Sequence, residues 1–212
     1  MMPLSIFKVP NLSAGNIVMA LLAAAWIPLR FFLNLYLQQT LHYSAFNSGL
    51  AQLPMTLAIL FLMVGVTGKL VAKFGFKSNM IVGLLILAAS LILFSQIPTD
   101  ETFVTDVLPA SLLGALGMSL TYIPGTVASM SSAKPEETGL ASRLVNTSYQ
   151  VGSALGLAII VAISAAKTNT LKMTGTTEAA ALNTGFQTAF FSAGMVCIIA
   201  ALIATVSIRS PK

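Results

Sequence analysis

In the first long apolar segment of the chain, near residues 17–39, three polar residues recur at a spacing of four: Arg30, Asn34 and Gln38. Residues four apart lie on the same face of an α-helix, so the three side chains would form one polar stripe. Such a stripe suits the wall of a water-filled cavity. The alternative is that Arg30 extends toward the nearer membrane surface, with Asn34 and Gln38 close to the rim.

A second polar stripe lies on the fifth apolar segment, near residues 144–166, and Tyr149 lies beside it. The stripe consists of Arg143, Asn146, Thr147, Gln150 and Ser153. Arg143 is expected at the inner membrane surface, whereas Asn146 and Gln150 lie deeper and need hydrogen-bond partners. Two interpretations stay open. The stripe either lines a cavity or joins neighbouring helices by hydrogen bonds, which contribute about 0.6 kcal/mol each on average.

Catalytic and metal-binding groups are sparse in the apolar segments. None of these segments contains Asp or Glu, and the single His, His42, falls in a polar connection. An intramembrane serine protease needs a Ser–His pair, and a metalloenzyme needs clustered ligands. Cys197 is the only cysteine, so a disulfide framework is excluded. We therefore expect no enzyme, no cofactor, no metal site and no intrinsic proton relay.

The composition places the chain in a lipid bilayer. Of its 212 residues, 56% are hydrophobic and only 8% are charged, whereas a soluble domain carries about a quarter charged residues. Soluble, disordered and collagen-like classes are thereby excluded. The basic residues are scattered rather than clustered, so nucleic acid is not an expected partner.

Six apolar stretches are long enough to cross a bilayer, which requires about 20 helical residues. They predict an all-α membrane protein in which residues 1–212 form a single six-helix bundle, with helices near 17–39, 49–71, 79–97, 107–129, 144–166 and 186–207. The first stretch is too long for a cleaved signal peptide, so it is predicted to span the membrane.

The distribution of basic residues predicts the orientation of the helices. With the N-terminus inside, the inner segments hold eight basic residues: Lys8, Lys69, Lys73, Lys77, Lys134, Arg143, Arg209 and Lys212. The outer segments hold only Lys167 and Lys172. This positive-inside bias predicts that both termini are cytoplasmic.

Small residues recur at helical spacing and predict close helix packing. Gly152 and Gly156 form a G-x-x-x-G pair on the fifth helix. Comparable ridges are expected on the second and fourth helices, at Gly65, Gly68 and Ala72 and at Gly117, Thr121 and Gly125. Pro28 and Pro124 fall within the first and fourth spans, which makes those two helices candidates for irregular, cavity-lining elements.

Two long motifs resemble the fourteen-helix drug:proton antiporters of the major facilitator superfamily, the EmrB/QacA type. FFLNLYLQQTLHYSAFNSGLAQLPMT, residues 31–56, is similar to a helix–loop–helix signature of these antiporters, and ETGLASRLVNTSYQVGSALGLA, residues 137–158, is similar to their penultimate helix. GKLVAKFGFK, residues 68–77, resembles the cytoplasmic loop motif G-x-L-a-D-r-x-G-r-k, with Ala72 in the place of Asp and Phe76 in the place of Arg.

The resemblance covers the last six of fourteen helices and implies the C-terminal half of a drug-efflux transporter, built from two inverted three-helix repeats, 17–97 and 107–207. The implied partners are a small-molecule substrate, an N-terminal half that couples protons, and the plasma membrane. The expected substrate cavity is lined by Arg30, Asn34, Gln38, Gln52, Tyr122, Asn146 and Gln150. The expected cytoplasmic gate loop contains Gly68, Lys73, Gly75 and Lys77. The alternative is an independent six-helix protein, such as a small channel or an assembly subunit.

Overall fold

The computed structural model describes residues 11–97, 103–131 and 137–209, and these residues form helices without any strand. The α-helices are α1 (Leu12–Leu35), α2 (Ala45–Phe61), α3 (Gly68–Phe94), α4 (Leu108–Met130), α5 (Thr138–Met173) and α6 (Glu178–Ser207). Three π-helical segments adjoin them, at Tyr36–Thr40, Leu62–Thr67 and Phe103–Val107. Lys8, Lys134 and Lys212, and most of the predicted outer loop at 98–106, lie outside the described residues.

The predicted second and third spans belong to one helical stretch, Ala45–Phe94, of 50 residues. Gly75 interrupts this stretch because its backbone adopts φ 77° and ψ 163°, a conformation that is essentially restricted to glycine. The described part of the chain therefore contains five stretches that are long and apolar enough to cross a membrane, and the longest of them is bent at Gly75.

The last two helices extend well beyond the predicted bounds of 144–166 and 186–207. Helix α5 continues through Lys167 to Met173, and α6 begins at Glu178. The extension is stable because Thr168 is buried and its hydroxyl donates a hydrogen bond to the carbonyl oxygen of Ala181, at 3.3 Å. The predicted polar loop between the two helices is thereby reduced to a short turn.

The packing of the helices is partly symmetric. Exchanging α1 with α4, α2 with α5 and α3 with α6 converts several of the observed helix pairs into other observed pairs. Helix α1 packs on α5, and α4 correspondingly packs on α2; α3 packs on α4, and α6 packs on α1. The pairs α1–α4 and α3–α6 are unchanged by the exchange, whereas the α5–α6 and α4–α5 contacts have no comparable α2–α3 or α1–α2 counterpart among the described residues. Most of the pattern, but not all of it, is the one expected for two repeats related by a two-fold axis.

Close backbone contact joins α1 to α5. A Cβ atom at Gly152 would overlap the backbone of Ala20, and one at Gly156 would overlap Ala24. The predicted G-x-x-x-G pair is therefore a packing surface. Gly117 and Gly125 on α4 are also packed closely against other helices, whereas Gly65 and Gly68 on the second span have no neighbour within 4 Å of a Cβ position. The predicted ridge on the second span thus has no packing partner among the described residues.

The prolines do not break their helices, because α1 continues through Pro28 and α4 continues through Pro124. The end of the bundle that contains Asn11 and Arg209 is instead held by a side chain. The carboxamide of Asn11 accepts from the backbone N–H of Arg209 at 2.7 Å and donates to the carbonyl oxygen of Arg209 at 2.9 Å. It also donates to Oγ of Ser131 at 3.4 Å. One residue therefore joins the start of α1 to the ends of α4 and α6, at what we call the terminal end.

Candidate functional site

Asn34 is the centre of a hydrogen-bonded cluster between α1 and α2. Its Oδ1 accepts a hydrogen bond from Nε2 of Gln38 at 3.1 Å and another from Nε2 of Gln52 at 3.4 Å. Nε2 of Gln52 also donates to the carbonyl oxygen of Ser48 at 3.4 Å. Three of the residues predicted to line the cavity are thus brought together on two different helices.

Arg30 lies beside this cluster, at the edge of an open concavity of about 430 Å³ that is lined by Ile27, Arg30, Phe31, Asn34, Gln52 and Leu157. The helix that carries Arg30 extends from Leu12 to Thr40, so Arg30 lies somewhat beyond the midpoint of the helix. The guanidinium is exposed and forms no salt bridge with a residue that the structure describes.

The remaining predicted residues lie on α4 and α5. Tyr122 packs edge-to-face against Tyr149, with the ring centroids 5.6 Å apart. Asn146 and Gln150 have exposed side chains that make no hydrogen bond to a described residue. Of the two interpretations of the α5 stripe, hydrogen bonding between helices is therefore not what this part of the chain shows.

We define the polar face as the seven predicted residues Arg30, Asn34, Gln38, Gln52, Tyr122, Asn146 and Gln150. Among the stretches that could span a membrane, the one that contains α2 and the one that contains α5 are the least buried by the rest of the described protein. The exposed sides of α1, α2 and α5 combine apolar side chains with carboxamides and the guanidinium of Arg30. This arrangement can bind a solute through hydrogen bonds and charge.

The residues of the predicted gate loop surround the bend at Gly75. Gly68, Lys73 and Gly75 are exposed, and Lys77 is half-buried. The ammonium of Lys73 lies 5.2 Å from the centroid of the Phe74 ring, at the distance of a cation–π contact.

Asn79 fixes the bend, and the sequence analysis did not identify it. Its buried Nδ2 donates to the carbonyl oxygen of Gly75 at 2.7 Å and to that of Leu70 at 2.9 Å. These carbonyls lie on either side of Lys73, so one side chain braces both ends of the loop. The signal in the sequence that could have indicated this role is a carboxamide four residues after a glycine within a helical stretch.

Replacing Asn79 with aspartate is expected to loosen this loop more than replacing it with alanine does. Alanine leaves the two carbonyl oxygens unpaired, whereas aspartate also places a carboxylate against them. The rate of tryptic cleavage between Lys69 and Lys77 in membrane vesicles measures the effect, and Ser78→Ala is the control because Ser78 is exposed. Equal cleavage rates for Asn79→Asp and Ser78→Ala would show that Asn79 does not hold the loop.

The long apolar helices and the polar side chains exposed on them define a helical membrane protein. Residues 2–157 match the family described as the Major Facilitator Superfamily. The chain belongs to this superfamily and is an integral membrane protein.

Curated relatives carry names related to export and antibiotic resistance. The chain is 34% identical over 167 residues to a tetracenomycin C resistance and export protein of Streptomyces glaucescens, covering 79% of this chain and 31% of the relative. It is 31% identical to a puromycin resistance protein of Streptomyces alboniger, covering 84% of this chain and 37% of the relative. A lincomycin resistance protein of Listeria monocytogenes is 28% identical, covering 100% of this chain and 45% of the relative. The chain thus spans less than half the length of these relatives.

Proposed function

We propose that the chain acts as the C-terminal half of a proton-coupled drug exporter of the EmrB/QacA type, with the polar face lining its substrate cavity. The observation that carries this proposal is the exposure of Arg30, Asn146 and Gln150 on helices that cross a membrane. Polar side chains inside a membrane face a protein interior or a water-filled cavity rather than lipid.

The free energy of membrane insertion favours a polar face that contacts protein or water rather than lipid. A charged residue in mid-span costs roughly 2.5–3.5 kcal/mol on insertion scales, and uncovered carboxamides add to this cost. No carboxylate of the described residues pairs with Arg30. A counter-charge would therefore come from the other half of the transporter or from a substrate, and water in the cavity would hydrate the guanidinium.

The lengths and names of the relatives support the half-transporter proposal. Because the chain covers 31% to 45% of the relatives described above, the remainder of such a protein can supply a second bundle. The apolar segments of this chain contain no Asp or Glu within the predicted spans, so the proton-coupling acids would belong to that second bundle. The names of these resistance and export proteins support antibiotics as the substrate class.

The orientation and the gate are part of the same proposal. Both termini would lie in the cytoplasm, because Lys69, Lys73, Lys77 and Arg209 then face inside. The loop braced by Asn79 would form the inner gate. An active periplasmic reporter fused after Lys212, with no cytoplasmic reporter activity, would contradict this orientation.

Drug accumulation in inside-out vesicles tests the function. Vesicles that contain this chain together with an N-terminal half are expected to accumulate radiolabelled lincomycin or puromycin when respiration generates a proton gradient, and a protonophore should abolish the uptake. Vesicles that contain residues 1–212 alone should show no uptake above empty vesicles, because the predicted spans of this chain contain no Asp or Glu to couple protons.

Two results would contradict the proposal. Proton-driven uptake by residues 1–212 alone would favour an independent six-helix transporter. Substrate uptake that continues unchanged in the presence of the protonophore would refute proton coupling. The matched control is the same vesicle preparation without a respiratory substrate.

A further inference from the structure

A crevice opens between α1 and α5 near the terminal end of the bundle. It has a volume of about 440 Å³ and is lined by Ser13, Asn16, Ile17, Ala20, Thr147, Ser148 and Val151. The contacts of Gly152 with Ala20 and of Gly156 with Ala24 close the seam between α1 and α5 beyond it. The crevice is therefore separated from the concavity beside Arg30.

Asn16, one of the residues that line this crevice, carries a buried acceptor without a hydrogen-bond partner among the described residues. The side chain of Asn16 is only 8% exposed, and its Nδ2 donates to the carbonyl oxygen of Leu12 at 2.7 Å. This short contact to an oxygen identifies the amide nitrogen, so the atom left over is the carbonyl oxygen Oδ1. No described residue donates a hydrogen bond to Oδ1.

A buried acceptor of this kind normally has a partner, because leaving it unpaired is unfavourable. The amide of Asn16 has already used one of its hydrogens on Leu12, and the acceptor can be satisfied only by an N–H or O–H group. Oδ1 of Asn16 thus receives no hydrogen bond from the described residues, including the hydroxyls of Ser13, Thr147 and Ser148 that also line the crevice, and a bound molecule can supply one.

The other walls of the crevice define the rest of the ligand. Ile17, Ala20 and Val151 supply apolar surface, and none of the lining residues is charged. A cation would find no carboxylate to compensate its desolvation, which favours a neutral donor. A volume of about 440 Å³ lies within the range of small-molecule sites.

We propose that this crevice binds a neutral amphipathic molecule whose hydroxyl or amide hydrogen is donated to Oδ1 of Asn16 and whose apolar part packs on Ile17 and Val151. Two sources share this chemistry: the hydroxyl-bearing headgroup of a membrane lipid and a neutral, hydroxyl-bearing solute. The site is separate from the polar face and does not depend on its role in transport.

Photolabelling with a matched pair of probes tests the site. The probes are a diazirine-bearing octanol and its methyl ether, which differ only in the hydrogen-bond donor. The probes are applied to the purified chain, residues 1–212, in phosphatidylcholine liposomes, and the labelled residues are located by mass spectrometry. The alcohol is expected to label the crevice about fivefold more than the ether, the ratio expected from one ordinary hydrogen bond.

The chain supplies an internal control for partitioning of the probes into the membrane. An apolar concavity of about 660 Å³ is lined by Leu57, Leu60, Phe61, Val64 and Gly65, and none of these side chains is a hydrogen-bond acceptor. Both probes should label it equally. Asn16→Leu should reduce labelling of the crevice by the alcohol to the level of the ether.

A second variant covers the case in which Asn16→Leu fails to fold. Val151 is 51% exposed, so Val151→Trp fills the crevice from its open side and leaves Asn16 in place; labelling of the crevice by both probes should be lost. Competition by dioleoylglycerol, a neutral lipid with a free hydroxyl, identifies a lipid ligand, and competition by octyl glucoside, a neutral hydroxyl-bearing amphiphile, identifies a solute. Equal labelling of the crevice by alcohol and ether, or unchanged labelling in Val151→Trp, would overturn the proposal.

Discussion

Gly152→Val is expected to destabilise the bundle more than any other single substitution considered for this chain. The added Cβ would overlap the backbone of Ala20, and backbone atoms cannot move aside as a flexible side chain can. Overpacking typically costs 1–3 kcal/mol, and this contact between two backbones lies at or above about 3 kcal/mol. The measured quantity is the midpoint of thermal unfolding of the purified protein, followed by the fluorescence of Trp26.

Gly139→Val provides a matched control on the same helix. Gly139 is exposed and has no neighbour within 4 Å of a Cβ position, so the same change in residue type adds no overlap there. Its unfolding midpoint should equal or slightly exceed that of the wild type, because valine has a higher helix propensity than glycine. Equal midpoints for Gly152→Val and Gly139→Val would contradict the close contact between α1 and α5.

Asn34→Leu is expected to have the largest effect on transport. The substitution removes the acceptor shared by Gln38 and Gln52. Two hydrogen bonds are lost, Gln52 keeps only its bond to the carbonyl oxygen of Ser48, and the polar surface at the concavity is interrupted. Losing two hydrogen bonds of ordinary strength corresponds to at least about tenfold. We expect initial uptake of the drug in inside-out vesicles to fall by at least about that factor.

The control for this prediction is Gln39→Leu, a polar-to-apolar change at an exposed neighbour on the same helical segment. Because Gln39 lies outside the Asn34 cluster, its replacement should leave uptake within about twofold of the wild type. Both variants must be present in the membrane in equal amount. Uptake by Asn34→Leu that matches uptake by Gln39→Leu would exclude a role for the cluster in transport.

The helical class and the approximate positions of the membrane segments could be predicted from the sequence because the bilayer imposes a minimum apolar length. The same criterion fails at the ends of α5 and α6. Residues such as Thr168 and Asn183 are polar, yet they are buried between helices and hydrogen-bonded to carbonyl oxygens. Polarity alone therefore marked as loop a region that tertiary contacts keep helical.

The polar stripe on α1 could be predicted for a similar physical reason, since the helical period places Arg30, Asn34 and Gln38 on one face. Which polar groups pair with one another depends on how the helices pack. The sharing of Asn34 by Gln38 and Gln52 is a tertiary contact that spacing does not specify. The same applies to Asn16 and Asn79, whose partners or lack of partners depend on burial.

The central claim is that the polar face meets water in a substrate cavity, and the reactivity of introduced cysteines tests it most directly. Gln150→Cys and Asn146→Cys are compared with Leu202→Cys, whose native side chain is apolar and 62% exposed on α6. All three variants also carry Cys197→Ala and are assembled with a cysteine-free N-terminal half. A membrane-impermeant methanethiosulfonate reacts with the thiolate, which lipid disfavours strongly. The cysteines at positions 146 and 150 should react at least about tenfold faster than the one at position 202, and bound drug should slow them. Reaction of all three at the same low rate would show that this face lies in lipid and would contradict the proposed cavity.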